Sequence, residues 1–169
     1  MQEVTYDVYW QGPFKWSERQ TLTDPDNVIY SIHGSHHLYG RDALLYLGKT
    51  ETNVADRLEQ HAEWIEDEYD TVSIRVASIG EFTNWDDYES WPSTKAHPRP
   101  SSRVIDGVET LLIYAHQPAY NSRGKNGLAS AKGIRVFNTG KSGHVLPEIS
   151  FGYHHGYDSP RRRAKRRDV

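Results

Sequence analysis

The sequence predicts an α+β fold: a small, mainly antiparallel three-stranded sheet flanked by helices, with a C-terminal β hairpin and a basic tail. Three observations lead there. Two apolar stretches, "NVIYSIHG" (27–34) and "ALLYLG" (43–48), are separated by a short polar turn, as in paired antiparallel strands. A third stretch, "TVSIRVASI" (71–79), alternates Val72, Ile74 and Val76 with polar partners. Two further segments place apolar residues at helical spacing.

The elements follow in chain order. The first strand is rich in β-branched residues and ends in Gly34. "HHLYGRD" (36–42) reads as the turn into the second strand. In "TNVADRLEQHAEWIEDEYD", Val54, Leu58, Ala62 and Ile65 share one helical face, and Thr52 or Asn53 can cap the start. A turn-rich stretch at 80–102 follows the third strand; its Trp85, Tyr88 and Trp91 can stack on bases or anchor the loop. "SRVIDGVETLLIYAHQP" (102–118) reads as a second helix, capped by Ser101 or Ser102 and ended by Pro118, with Val104, Val108, Leu111, Leu112 and Ala115 inward. "KGIRVFNTG" and "HVLPEISFG" suggest the terminal hairpin. Residues 1–160 are read as a single domain with its core at about 27–122, and 161–169 as the tail.

Composition narrows the chemistry. The 169 residues contain no cysteine, which excludes disulfides, thiolate zinc sites, iron–sulfur clusters and a cysteine nucleophile. The start of the chain lacks a signal-peptide pattern and no apolar run reaches the ~18 residues of a membrane helix. The expectation is a soluble, cytoplasmic protein without a membrane partner. The net charge is −3, but six of the 20 basic residues and one of the 23 acidic ones lie in the tail, leaving −8 on residues 1–160. A basic tail on an acidic body attracts polyanions locally rather than over the whole surface.

Gly48-Lys49-Thr50 invites a phosphate-loop reading, but the first glycine of that motif would stand at Ala43, and Leu44 to Leu47 look like strand. His36-His37 and His154-His155 are poor metal pairs, since adjacent residues of an extended segment point to opposite faces. A different set is more informative: Tyr30 and Tyr46 on the paired strands, Lys49 in the turn, Arg57 and His61 four apart on the first helix, Glu109 on the second, and Asn121 in "PAYN" beyond it.

This ordered set resembles the GIY-YIG nuclease family over about positions 27 to 122. Val28-Ile29-Tyr30 stands for the first signature and Tyr46-Leu47-Gly48 for the second; Lys49, Arg57, Glu109 and Asn121 fall where the family places a lysine, an arginine, the metal-binding glutamate and an asparagine. Val28 replaces the first signature's glycine, Leu47 the second's isoleucine, and the tyrosines are further apart than is usual. The resemblance implies a DNA endonuclease that needs Mg²⁺ (or Mn²⁺) and hydrolyses phosphodiesters, restriction-like or associated with a mobile element.

The residue types suit that chemistry. A single carboxylate, Glu109, with waters and substrate phosphate can hold a hard divalent cation. The Arg57 guanidinium matches a non-bridging phosphate oxygen, and Lys49 adds a second charge. Tyr30 or Tyr46 can deprotonate or orient the attacking water, and a neutral His61 can take the proton. Asn121, Arg123 and Lys125 are expected on the substrate side. Cutting two strands with one site per chain calls for a homodimer or two events. The alternatives are a catalytically silent nucleic-acid-binding module and an RNA-directed nuclease.

Overall fold

The computed structural model describes residues 3–68, 70–84, 86 and 99–155; Trp85, Tyr88, Trp91 and the basic tail lie outside the described residues. The elements are β1 (Val4–Lys15), a 3-10 segment (Trp16–Thr21), β2 (Asn27–His36), β3 (Gly40–Lys49), α1 (Val54–Glu59), α2 (Ala62–Glu66), β4 (Ser73–Glu81), α3 (Ser102–His116), β5 (Ile134–Gly140), β6 (Glu148–Ser150) and α4 (Phe151–His155).

The expected three-stranded sheet is corrected here. The sheet has six strands in the order β3-β2-β4-β1-β5-β6, is mixed because β1 and β5 run parallel, and curls into a half-barrel with few helices. The three strands expected from sequence form consecutive antiparallel neighbours, with Tyr30 opposite Gly48 and Val76. What the expectation lacked is β1, which pairs Val8 with Ile79 on one side and with Asn138 on the other. Through β1 the C-terminal hairpin becomes part of the sheet rather than an appendage, with Val136 of β5 opposite Ile149 of β6.

Alternation along the strands sends side chains to two cores. One face of the sheet buries Val8, Trp10, Ile29, Leu47, Ala77 and Val136 under Ile105, Val108, Leu111 and Leu112 of α3. Gly107 allows α3 to come that close, because a Cβ there would stand 2.3 Å from the Ile134 side chain and 2.7 Å from the Ser130 carbonyl oxygen. The other face buries Tyr30, Ile32, Ile74 and Val76 under Leu22, Val54, Leu58 and Ile65.

The helix expected to run on from Asn53 is broken. Asn53 does cap α1, its side chain accepting from the Asp56 N–H at 2.9 Å. The chain then tightens at Gln60–His61, where the His61 N–H donates to the Leu58 carbonyl at 2.8 Å, before α2 begins. Burial of the His61 ring against the sheet overrides the continuous helical pattern. Arg57 and His61 therefore do not share one helical face: Arg57 sits in the last turn of α1 and His61 in the N-cap position of α2. Helix α3 ends at His116, with Gln117 in the left-handed region one residue before Pro118. Among the described residues no helix is long and apolar enough to cross a membrane.

Candidate active site

Edge strand β3 positions the site. Asn121 holds it from outside: the Leu47 N–H donates to the Asn121 side-chain oxygen at 2.9 Å, and the Asn121 amide donates to the Leu47 carbonyl at 2.8 Å. The Tyr120 N–H adds a bond to the Leu45 carbonyl at 2.8 Å. Asn121, expected on the substrate side, spends its amide on a backbone clamp between Tyr46 and Gly48. Thr50 shapes the following turn, donating to the Asn53 carbonyl at 3.1 Å and accepting from the Thr52 N–H at 3.2 Å.

Within this frame four aromatic side chains converge. Tyr30 is completely buried, and its hydroxyl lies 2.8 Å from His61 Nε2. Its oxygen passes over Gly48, where a Cβ would approach it to 2.5 Å, so the glycine of "YLG" makes room for the phenol. The Tyr46 ring stacks on Tyr30 at 6.1 Å between centroids and meets the His61 ring at 4.6 Å. Trp64 closes the group, donating its indole N–H to His61 Nδ1 at 3.2 Å and lying 6.5 Å from the Tyr46 ring.

Charged groups adjoin it. Lys49 ends β3 and pairs with Asp106 of α3 and with Glu51, the latter at 3.5 Å. Glu109 stands one helical turn beyond Asp106, half-buried. Arg57 donates to the Gln60 side chain, and Arg99 to the Glu51 carbonyl, joining the approach to α3 to the β3–α1 turn. Arg123 is exposed and Lys125 half-buried on the loop past Asn121, and no contact joins either side chain to the cluster among the described residues.

The electrostatics couple the two groups. Burial, with Tyr46 nearby, holds the Tyr30 phenol above its usual range, while the Arg57 guanidinium opposes this. His61 is pushed down to about 4, first by burial and then by Arg57, so it is neutral near pH 7. Asp106 is the main reason that Lys49 holds its proton more tightly than usual. The Glu109 carboxyl is pushed up to about 6, by burial first, against the pull of Lys49 and Arg57.

Glu109 is thus a carboxylate withdrawn from water whose nearest ammonium is committed to Asp106. That donor chemistry fits a hard divalent cation, which would supply the missing charge. Among the described residues no group of three or more histidine or acidic side chains is arranged to hold a metal, so a cation here would complete its shell with water and phosphate. Asp106 and Trp64 were missed by sequence reasoning, although one lies three residues before Glu109 and the other three residues after His61. Compared with family models, curated proteins and solved structures, the chain matches none, and the functional reading rests on this geometry and on the order of its residues.

Proposed function

We propose that the protein is a divalent-metal-dependent DNA endonuclease of GIY-YIG type, hydrolysing phosphodiester bonds in the manner of a restriction or mobile-element enzyme. One observation carries the reading: Tyr30, Tyr46 and His61 form a single contact cluster whose hydroxyl feels both Arg57 and Glu109. A buried tyrosine, a neutral histidine, a guanidinium, an ammonium and an under-compensated carboxylate are what hydrolysis of a phosphodiester asks for.

Each group then has a task. Glu109 would hold Mg²⁺ (or Mn²⁺), which would supply charge neutralisation at phosphorus and help for the leaving oxygen. The Arg57 fork binds a non-bridging oxygen of the scissile phosphate. Lys49, turned from Asp106, adds a second positive charge. The Tyr30 oxygen orients and deprotonates the attacking water, supported by Arg57 and His61. Tyr46 packs beside the imidazole and fixes its plane.

The test is incubation of the protein with mixed plasmid DNA, with Mg²⁺ or with a chelator, followed by sequencing of the ends. Metal-dependent double-strand or single-strand ends are expected. Binding without cleavage across varied DNA, in Mg²⁺ and in Mn²⁺, would point to a silent binding module instead, and cleavage of matched RNA alone to an RNA nuclease.

A further inference from the structure

The bond between His61 and Tyr30 has a direction, and Trp64 sets it. An indole N–H can only donate. Its partner, 3.2 Å away, is His61 Nδ1, which must therefore present a lone pair. A neutral imidazole carries one N–H, so the hydrogen sits on Nε2. Nε2 faces the Tyr30 hydroxyl oxygen at 2.8 Å. The imidazole is 8% exposed and enclosed by the Tyr30, Tyr46 and Trp64 rings, with centroids at 5.8, 4.6 and 5.9 Å, so it has little freedom to flip.

We propose that Trp64 is a positioning residue that fixes His61 as the Nε2–H tautomer, so that His61 donates a hydrogen bond to the Tyr30 oxygen instead of accepting its proton. This role differs from the expectation that His61 takes a proton from Tyr30 or from the water. The Tyr30 O–H then points away from the imidazole. When Tyr30 loses that proton, the oxygen left behind keeps the donor His61 and the neighbouring Arg57 charge. Hydrogen bonding to the charged form favours it. His61 works as a fixed dipole supporting a phenolate, and the proton leaves on the side of the oxygen away from the imidazole, where the substrate would lie. The tautomer stands on geometry alone; its catalytic consequence rests on the nuclease reading above.

The experiment is long-range ¹H–¹⁵N correlation spectroscopy of the histidine rings in the full chain, near neutral pH without metal, with His61 assigned by its loss in His61→Gln. The expected spectrum shows a pyridine-like Nδ1 and a pyrrole-like Nε2 at His61. In Trp64→Phe, which keeps a ring but removes the N–H, the two nitrogens should shift towards a mixture of tautomers. A pyrrole-like Nδ1 in the wild-type protein would overturn the proposal without any variant. Nitrogen shifts unchanged in a folded Trp64→Phe protein would overturn the role of Trp64. In the cleavage assay Trp64→Phe should lower kcat about 10-fold or more with KM nearly unchanged, the scale on which orienting partners act at metal sites. A wild-type protein that shows the expected tautomer and cuts nothing would end the nuclease reading and leave the tautomer assignment standing.

Discussion

Neighbouring residues of β2 build the same pair on opposite faces of the sheet. Tyr30 meets His61 at 2.8 Å on one face, and Ser31 meets His33 at 3.0 Å on the other. Both imidazoles are buried, and both are pushed down to about 4, chiefly by burial. Their surroundings differ. His33 looks towards Asp42 at 3.9 Å, and Asp42 also faces Arg75 at 3.7 Å and His144 at 3.1 Å, so on this face the buried guanidinium has a carboxylate close by. Around His61 the charges are not closed: Glu109 lacks a committed cation, and Lys49 is paired at a half-exposed position from which it can turn. A buried hydroxyl–imidazole pair is therefore no site by itself. Its chemistry comes from the charges left for a substrate to complete.

The largest expected effect falls on the open set. Glu109→Gln, nearly isosteric, should lower Mg²⁺-dependent cleavage by about 10³-fold or more while leaving the circular dichroism spectrum unchanged, on the scale of losing electrostatic stabilisation in a reaction centre. Cleavage within a few-fold of wild type would remove Glu109 from the site.

The His33 side should reveal itself through pH. His33 has a folded value of about 4 against about 6.5 for a free histidine, so between those values the unfolded chain binds more protons. Its contribution is complete above about pH 6.5 and is lost as the pH falls towards 4. Denaturation at pH 7 and pH 4 should show wild type losing about 3 kcal/mol more than His33→Gln over that interval. Equal losses would mean that His33 is not held neutral by the fold.

Smaller effects sharpen the frame. Asn121→Ala removes both bonds to the Leu47 backbone and should cost about 2 kcal/mol, since buried polar groups of β3 are left without partners. Denaturant midpoints would check it. Asp106→Asn releases Lys49 from its counter-ion and should tighten DNA binding only about threefold, the scale of a partly exposed pair. Weaker binding in that variant would assign Asp106 to the substrate or the cation.

The grouping of Tyr30, Tyr46 and His61 in the candidate site was partly legible because these residues lie on locally patterned segments. The apolar alternation that marks β2 and β3 also places Tyr30 and Tyr46, and the amphipathic pattern of α3 places Glu109. The break at His61 carries no local mark, because "RLEQHAEW" has neither glycine nor proline; the sheet surface makes it. Strand β1 did carry a signal, with Val4, Tyr6, Val8 and Trp10 at alternate positions. Its parallel pairing with β5 did not, since that contact joins segments far apart along the chain and no turn announces it. The size of the sheet was misjudged for that reason. Asn121 shows a different limit: the family resemblance suggested a substrate-side role, and only the fold reveals an amide already engaged on both sides.

The two faces of β2 can be set against each other in one measurement: single-turnover cleavage of plasmid DNA in Mg²⁺, near neutral pH, by His61→Gln and His33→Gln. A fall of about 10²-fold is expected for His61→Gln, the scale of losing one hydrogen-bond donor that stabilises negative charge in a reaction centre, and a rate close to wild type for His33→Gln. Equal losses in the two folded variants, or no loss in His61→Gln, would contradict it.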